Sequence, residues 1–225
     1  MLRIIDISKN FGGLRVLENI SLEIKKEKIG IIGPNGAGKT TLFNIISGFL
    51  KPDKGKILFR NENISGKKPS DLAKMGIIRT FQILKVFENM TVEENLLAVT
   101  DDINVLRDFE LYDKRKEIAR NLSQGEMRRL SLALAFAKKP KILLLDEPFS
   151  GLSQKEAEKI IWIVNEISDG ASIAIVEHRM RELFNVVERV VVLNSGKIIF
   201  DGNPEDVTEN KAVKEAYFGS RYVRS

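Results

Sequence analysis

The chain has 225 residues, 43% hydrophobic and 30% charged, enough for one domain or two lobes folded together around a sizeable core. Lys and Arg number 36 against 31 Asp and Glu, and this scattered excess of +5 makes no case for a nucleic-acid partner. Cysteine is absent, which excludes disulfides, thiolate metal sites and cysteine nucleophiles. No apolar run nears the roughly 20 residues of a membrane span, and Arg3 and Asp6 interrupt any N-terminal signal-like stretch. The expected compartment is the cytosol.

In chain order, Leu2–Ile7 and Val16–Ile24 read as strands, the second alternating through Leu17, Ile20, Leu22 and Ile24. Lys28–Ile32 is a buried strand, and Thr40–Gly48 a helix stopped by Gly48 and then Pro52. Lys56–Phe59 and Ile77–Thr80 are short strands. From Thr91 the character is helical: Thr91-x-x-Glu94 has the form of a capping box, and Tyr112–Asn121 and Gln124–Ala137 continue as helix. The last places Met127, Leu130, Leu134 and Ala137 on one face. Lys141–Leu145 is a continuously apolar central strand, Gln154–Ile167 an amphipathic helix, and Ser172–Val176 another buried strand. Val190–Leu193 and Lys197–Phe200 flank Asn194-Ser195-Gly196, a hairpin turn. Pro204–Val207 and Asn210–Phe218 close the chain as short helices. Strands alternating with helices imply an α/β fold with a mainly parallel sheet.

Residues 33–40 read Gly33-Pro34-Asn35-Gly36-Ala37-Gly38-Lys39-Thr40, a complete Gly-x-x-x-x-Gly-Lys-Thr loop between a strand and a helix that continues with Thr41. Glycines let successive N–H groups curl toward phosphate oxygens, and the helix N-terminus adds its positive end. Lys39 is placed for the β- and γ-phosphates and the Thr40 hydroxyl for Mg²⁺. The strand Ile142–Leu145 ends in Asp146-Glu147, delivering carboxylates to the ligand edge of the sheet. Asp146 would hold Mg²⁺ directly or through water. Glu147 suits a general base that polarises the attacking water.

Asn121-Leu122-Ser123-Gln124-Gly125-Glu126 opens a helix with Ser123 at its cap and Gly125 in its first turn. In this context the chain resembles the ATP-binding cassette (ABC) ATPases along essentially its whole length. Their signature, Leu-Ser-Gly-Gly-Gln, is kept at Leu122, Ser123 and Gly125, with Gln124 and Glu126 departing from it. The resemblance implies a phosphate-loop NTPase core over about 1–82 and 139–225, with an N-terminal antiparallel β subdomain and a helical subdomain inserted at about 83–138. It places Phe11 where an aromatic stacks on adenine, the alternative being a core phenylalanine. It makes Gln82 the glutamine that meets Mg²⁺ and water, and His178, the single histidine, the switch residue at the γ-phosphate. Ser153 stands where many members carry aspartate, and that residue's role is not carried across.

The same resemblance implies a head-to-tail dimer, of two copies or of paralogous ATPase subunits, with two ATPs between one subunit's phosphate loop and the other's Ser123 region. Polytopic permease subunits and a solute-binding protein would complete the system, with the cassette on the inner face of the membrane. Arg79-Thr80-Phe81-Gln82, Thr91-Val92-x-x-Asn95-Leu96 and Ala216-Tyr217-Phe218-Gly219 look like the branched-chain amino acid importer branch. The ATPase of lipopolysaccharide export shares a similar C-terminal pattern. The stretch Thr100–Asn121 is shorter than is usual in the importer branch. A soluble ABC ATPase of an assembly system is the alternative from another class.

Overall fold

The computed structural model describes residues 1–80, 86–167 and 170–218. Strands β1 (Leu2–Phe11) and β2 (Leu14–Ile24) form an antiparallel hairpin, followed by β3 (Lys28–Ile32) and helix α1 (Lys39–Ile46). Then come β4 (Lys54–Phe59), β5 (Glu62–Asn63), α2 (Pro69–Met75) and β6 (Ile77–Arg79). The middle of the chain carries α3 (Val92–Leu97), α4 (Val105–Asp108) and α5 (Gln124–Ala137). The remainder is β7 (Ile142–Asp146), α6 (Gln154–Ile167), β8 (Ser172–Val176), α7 (Met180–Phe184), β9 (Arg189–Asn194), β10 (Lys197–Gly202) and α8 (Lys211–Phe218).

Two sheets result. An antiparallel one has the order β2-β1-β4-β5, and a six-stranded one the order β10-β9-β3-β8-β7-β6. In the larger sheet β6, β7, β8, β3 and β9 run parallel, and only the β10 edge is antiparallel. Every residue of β7 and of β8 is buried, as strands covered on both faces must be. The period of two divides them between two cores. Leu143, Leu145, Ile173, Ile175, Val190 and Val192 point to one side, with Phe109, Leu130, Phe136 and Ile160. Ile142, Leu144, Ala174, Val176, Val191 and Leu193 point to the other, with Leu42, Phe43, Ile45 and Ile46 of α1 and the apolar face of the antiparallel sheet. Helix α1 is thus held in the core that the two sheets share, and the phosphate loop that opens it inherits that rigidity.

Two expectations need correction. Tyr112–Asn121 is not a helix: only Tyr112–Lys114 and Ala119–Asn121 make 3₁₀ turns. Its backbone is committed elsewhere, with Val92 and Glu93 N–H donating to Glu117 and Arg115 carbonyls, and Ala119 and Arg120 N–H donating to Met90 and Glu88. These cross-segment bonds replace the i→i−4 ladder, and Ile118 is extended, bridged to Thr91. On α5 the expected apolar face is not the buried one. Leu130 is buried, but Met127, Leu134 and Ala137 are only partly so, while Gly125, Arg128, Arg129, Leu132, Ala133 and Phe136 turn inward.

Candidate active site

The phosphate loop leaves β3 at Gly33 and enters α1 at Lys39. Gly38 caps the helix at φ 104, and a Cβ there would stand 2.6 Å from Leu17 Cδ2 and 2.9 Å from the Val16 carbonyl, so only glycine fits. The loop is braced from outside its own sequence. The β9–β10 turn donates Gly196 N–H to the Ala37 carbonyl at 3.2 Å, while Glu18 N–H of β2 donates to Gly196 at 2.8 Å. Lys39 Nζ lies folded over the loop, donating to the Gly33 carbonyl at 2.7 Å and the Pro34 carbonyl at 3.0 Å. Burial pushes its pKa down, opposed by the charges of Glu147 and Asp146. Asn35 and Thr40 are exposed, and Thr41 partly so. On the C-terminal helix, burial pushes the Tyr217 phenol up to about 12 against a hydrogen bond with the Gly33 backbone. Tyr217, from the C-terminal Ala216-Tyr217 pattern, therefore sits at the first residue of the phosphate loop.

The parallel register brings the ends of β7 and β8 beside that loop. Asp146 pairs with Val176, and the Glu147 N–H donates to the Val176 carbonyl at 2.9 Å. Glu147 has φ 48, a left-handed backbone that is costly for a non-glycine residue and is found at functional positions. Its carboxylate stands 3.9 Å from His178 Nδ1. Glu177 also faces His178, with Oε1 3.3 Å from Nδ1, and its side chain is fully buried. It accepts from Phe149 N–H at 3.1 Å, His178 N–H at 2.8 Å and Arg179 N–H at 3.2 Å. One carboxylate thus ties the loop after β7 to the loop after β8. Arg179 reinforces the tie, Nη1 donating to the Phe149 and Leu152 carbonyls at 2.7 and 2.9 Å. Glu177 is not among the candidates named from sequence, although a carboxylate closing an apolar run is its signal. Asp146 accepts at Oδ2 from Arg79 Nη2 at 2.7 Å. Arg128 of α5 is buried with no ion pair among the described residues. Burial pushes its pKa down, opposed at longer range by Glu177 and Glu147.

Ser123 and Gly125 stand apart from this group. Among the described residues no hydrogen bond or ion pair joins either to residues 33–41. Ser123 caps α5, with Glu126 N–H donating to Ser123 Oγ at 3.3 Å and Ser123 N–H to Glu126 Oε2 at 2.9 Å. The Glu126 departure from the signature therefore completes a reciprocal capping box, and Lys114 Nζ at 2.9 Å balances its charge. Gly125 is required by close approach: a Cβ there would meet Glu156 Cδ at 2.8 Å and Cγ at 2.9 Å. Ser153, the other departure, forms a second box with Glu156. Its N–H and Oγ donate to Oε2 at 2.9 and 2.7 Å, and Glu156 N–H returns to Oγ at 3.4 Å. Phe11 is no core residue: it is 44% exposed near the tip of the β1–β2 hairpin, with Lys9 Nζ 5.5 Å from its ring centroid. Gln82 lies outside the described residues.

A Gly-x-x-x-x-Gly-Lys-Thr loop between a parallel strand and a helix, facing an Asp-Glu strand end, defines a phosphate-loop nucleoside triphosphatase. The family model for ABC transporters matches residues 17–150, and the chain belongs to that family as one of its ATP-binding cassettes, an ATPase. Relatives extend the match to nearly the whole chain. The high-affinity branched-chain amino acid transport ATP-binding protein LivG of Escherichia coli is 34% identical, covering 97% of this chain and 98% of LivG. The lipopolysaccharide export system ATP-binding protein LptB of Haemophilus influenzae is 34% identical over 96% of each chain. Among solved structures, a nucleotide-free ATP-binding cassette from an ABC transporter superposes with a TM-score of 0.89 at 31% identity, over 96% of this chain and 98% of that one. A dimeric cassette bound to ADP and Pi in a post-hydrolysis state superposes at 0.78 with 26% identity, over 91% and 99%.

Proposed function

We propose that this ATPase powers an ABC importer for branched-chain amino acids or a similar small solute. It would dock on polytopic permease subunits at the cytoplasmic face of the membrane, in a system with a solute-binding protein. LivG and LptB are equally identical to this chain, so identity does not separate them; the importer reading rests on the sequence motifs at 79–82, 91–96 and 216–219, and the cargo is assigned to that branch as a class. Residues 1–82 and 139–225 form the nucleotide core, and about 83–138 the helical subdomain.

The phosphate loop, residues 33–41, cradles the triphosphate. Phe11, exposed at the hairpin tip, stacks on the base. Lys39 exchanges its two neutral carbonyl partners for charged β- and γ-phosphate oxygens, turning ordinary hydrogen bonds of a half-buried ammonium into charge-paired ones. Thr40, Asp146 and Gln82 would hold Mg²⁺. An all-oxygen set with a single firm carboxylate suits that cation, which prefers a few protein ligands, waters and phosphate oxygens to a carboxylate cage. When bound it neutralises charge on the phosphates. Asp146 keeps one oxygen, Oδ1, outside the described hydrogen bonds, which fits the role. Glu147 accepts the proton as water oxygen attacks the γ-phosphorus and the bond to the β-phosphate oxygen breaks. His178, close to Glu147, faces the departing phosphate.

The observation that carries the dimeric reading is that Ser123 and Gly125 share no bond with their own phosphate loop. The α5 N-terminus therefore serves the nucleotide of a second subunit, where the positive end of the helix and the Ser123 hydroxyl, able to donate its proton, suit the γ-phosphate. Turnover per subunit, measured across dilution, tests this. A shared site gives specific activity that rises with protein concentration until dimerisation saturates. A specific activity independent of concentration down to nanomolar protein, with the protein monomeric by light scattering, overturns it.

A further inference from the structure

Arg79 closes β6, three residues before Gln82, and its side chain is 5% exposed. Its guanidinium spans three elements. Nη2 donates to Asp146 Oδ2 at the end of β7 at 2.7 Å. Nη1 donates to Asn44 Oδ1 at 2.7 Å and to Ser47 Oγ at 3.0 Å, at the far end of the helix that the phosphate loop opens. The guanidinium carbon also lies 5.7 Å from the centroid of the Phe43 ring. A buried ion pair is an inefficient way to stabilise a fold, since apolar side chains of the same volume do as well or better. What it supplies is geometry: a planar fork with fixed directions that a lysine cannot reproduce.

The geometry matters because of the group it holds. Asp146 is the carboxylate at the ligand edge of the sheet, and its side chain is 8% exposed. With Oδ2 committed to Arg79, the carboxylate cannot rotate freely, and Oδ1 is the oxygen left over. Through Asn44 and Ser47 the same guanidinium fixes Asp146 relative to α1, whose second residue is Thr40. We propose that Arg79 is a positioning residue for the divalent cation of the nucleotide: it orients Asp146 and locks that carboxylate and the Thr40 hydroxyl into one frame. The proposal rests on the reading of Asp146 as a Mg²⁺ ligand.

The test measures nucleotide affinity with a fluorescent ADP analogue, once with Mg²⁺ and once with EDTA, in the parent, Arg79→Lys, Arg79→Met and Asp146→Asn. The readout is the tightening that Mg²⁺ produces, and Mn²⁺ binding by electron paramagnetic resonance supplies it independently of the fluorophore. Arg79→Lys keeps the charge but loses the planar fork that reaches Asp146, Asn44 and Ser47 from fixed directions, and outer-shell changes of this kind cost about 10-fold or more in metal affinity. That loss should appear in the Mg²⁺ effect, with metal-free affinity unchanged. Arg79→Met, close in volume and without charge, serves the same purpose if the lysine variant melts early. The proposal is overturned if the folded variants keep the parental Mg²⁺ effect, or if metal-free affinity falls by the same factor, which would make Arg79 a support of the loop alone. An Asp146→Asn protein with an undiminished Mg²⁺ effect would instead overturn the cation assignment itself.

Discussion

Replacing Gly125 by alanine puts a methyl group against the Glu156 carboxyl, with Cδ at 2.8 Å and Cγ at 2.9 Å. Glu156 cannot swing aside freely. It accepts from the Ser153 N–H and hydroxyl and from the Gly125 backbone, so moving it breaks the cap of α6 and unties α5 from the loop after β7. Losing a cap costs about 1 kcal/mol, in a range of roughly 0.5–2, and overpacking adds about 1–3 kcal/mol where the neighbour is pinned. Since alanine at a helical position gains back about 1 kcal/mol over glycine, a net loss of about 1–3 kcal/mol is expected. In a domain of this size each kcal/mol lowers Tm by about 2–4 °C, so the melt should fall by several degrees in a thermal scan. The decisive comparison is the cycle with Glu156→Ala. With the obstacle gone, Gly125→Ala should become neutral or stabilising, giving a coupling of about 1 kcal/mol or more. If Gly125→Ala has the same effect on Tm in both backgrounds, the close approach is not what requires glycine.

Three further outcomes are expected. Glu147→Gln preserves shape at the strained position but removes the proton acceptor, so steady-state turnover should fall by about 10²–10⁴. ATP affinity should hold or improve, because one negative charge near the phosphates is gone; turnover equal to the parent would refute the general-base role. Phe11→Ala should raise the ATP concentration needed for half-maximal turnover without lowering the maximum, and unchanged affinity would remove Phe11 from the base site. Hydrogen bonds from Ser153 hold the Glu156 carboxyl below its ordinary value of 4.5. Its ionised form therefore stabilises the fold above that pH, and the contribution is lost as pH falls through the depressed value. Glu156→Gln should melt lower than the parent at pH 7, with the gap closing under acid; a gap constant with pH would show that the charge contributes nothing.

Much of the core was legible because its signals are local. Lys28–Ile32, Ser172–Val176, Gln124–Ala137 and Gln154–Ile167 occur as strands and helices at those limits, being uninterrupted runs with clear ends. The phosphate loop and the Asp146-Glu147 strand end declare themselves by residue type and spacing. What the chain did not announce depends on partners far along it. Short α2, α4 and α7 lack the length for a periodic signal. The 112–121 stretch has helix-forming residues but spends its donors on residues 88–93. Arg79 lies inside the Arg79-Thr80-Phe81-Gln82 motif, yet nothing in its sequence neighbours reveals Asp146 or Asn44. Glu126 and Ser153 looked like departures until their caps were visible. Each keeps a helix N-terminus closed by means other than the usual residue.

The shared nucleotide site is tested most directly by the association state of the Glu147→Gln protein, which should bind ATP without cleaving it. Size-exclusion chromatography with light scattering and Mg²⁺-free ATP should show a dimer that is absent without nucleotide. Adding Ser123→Arg places bulk at the α5 N-terminus and should abolish that dimer, while a binding titration shows the monomer still taking ATP through Lys39 and Phe11. A dimer that persists in the double variant, or a monomer that loses its nucleotide as well, would contradict a site divided between two subunits.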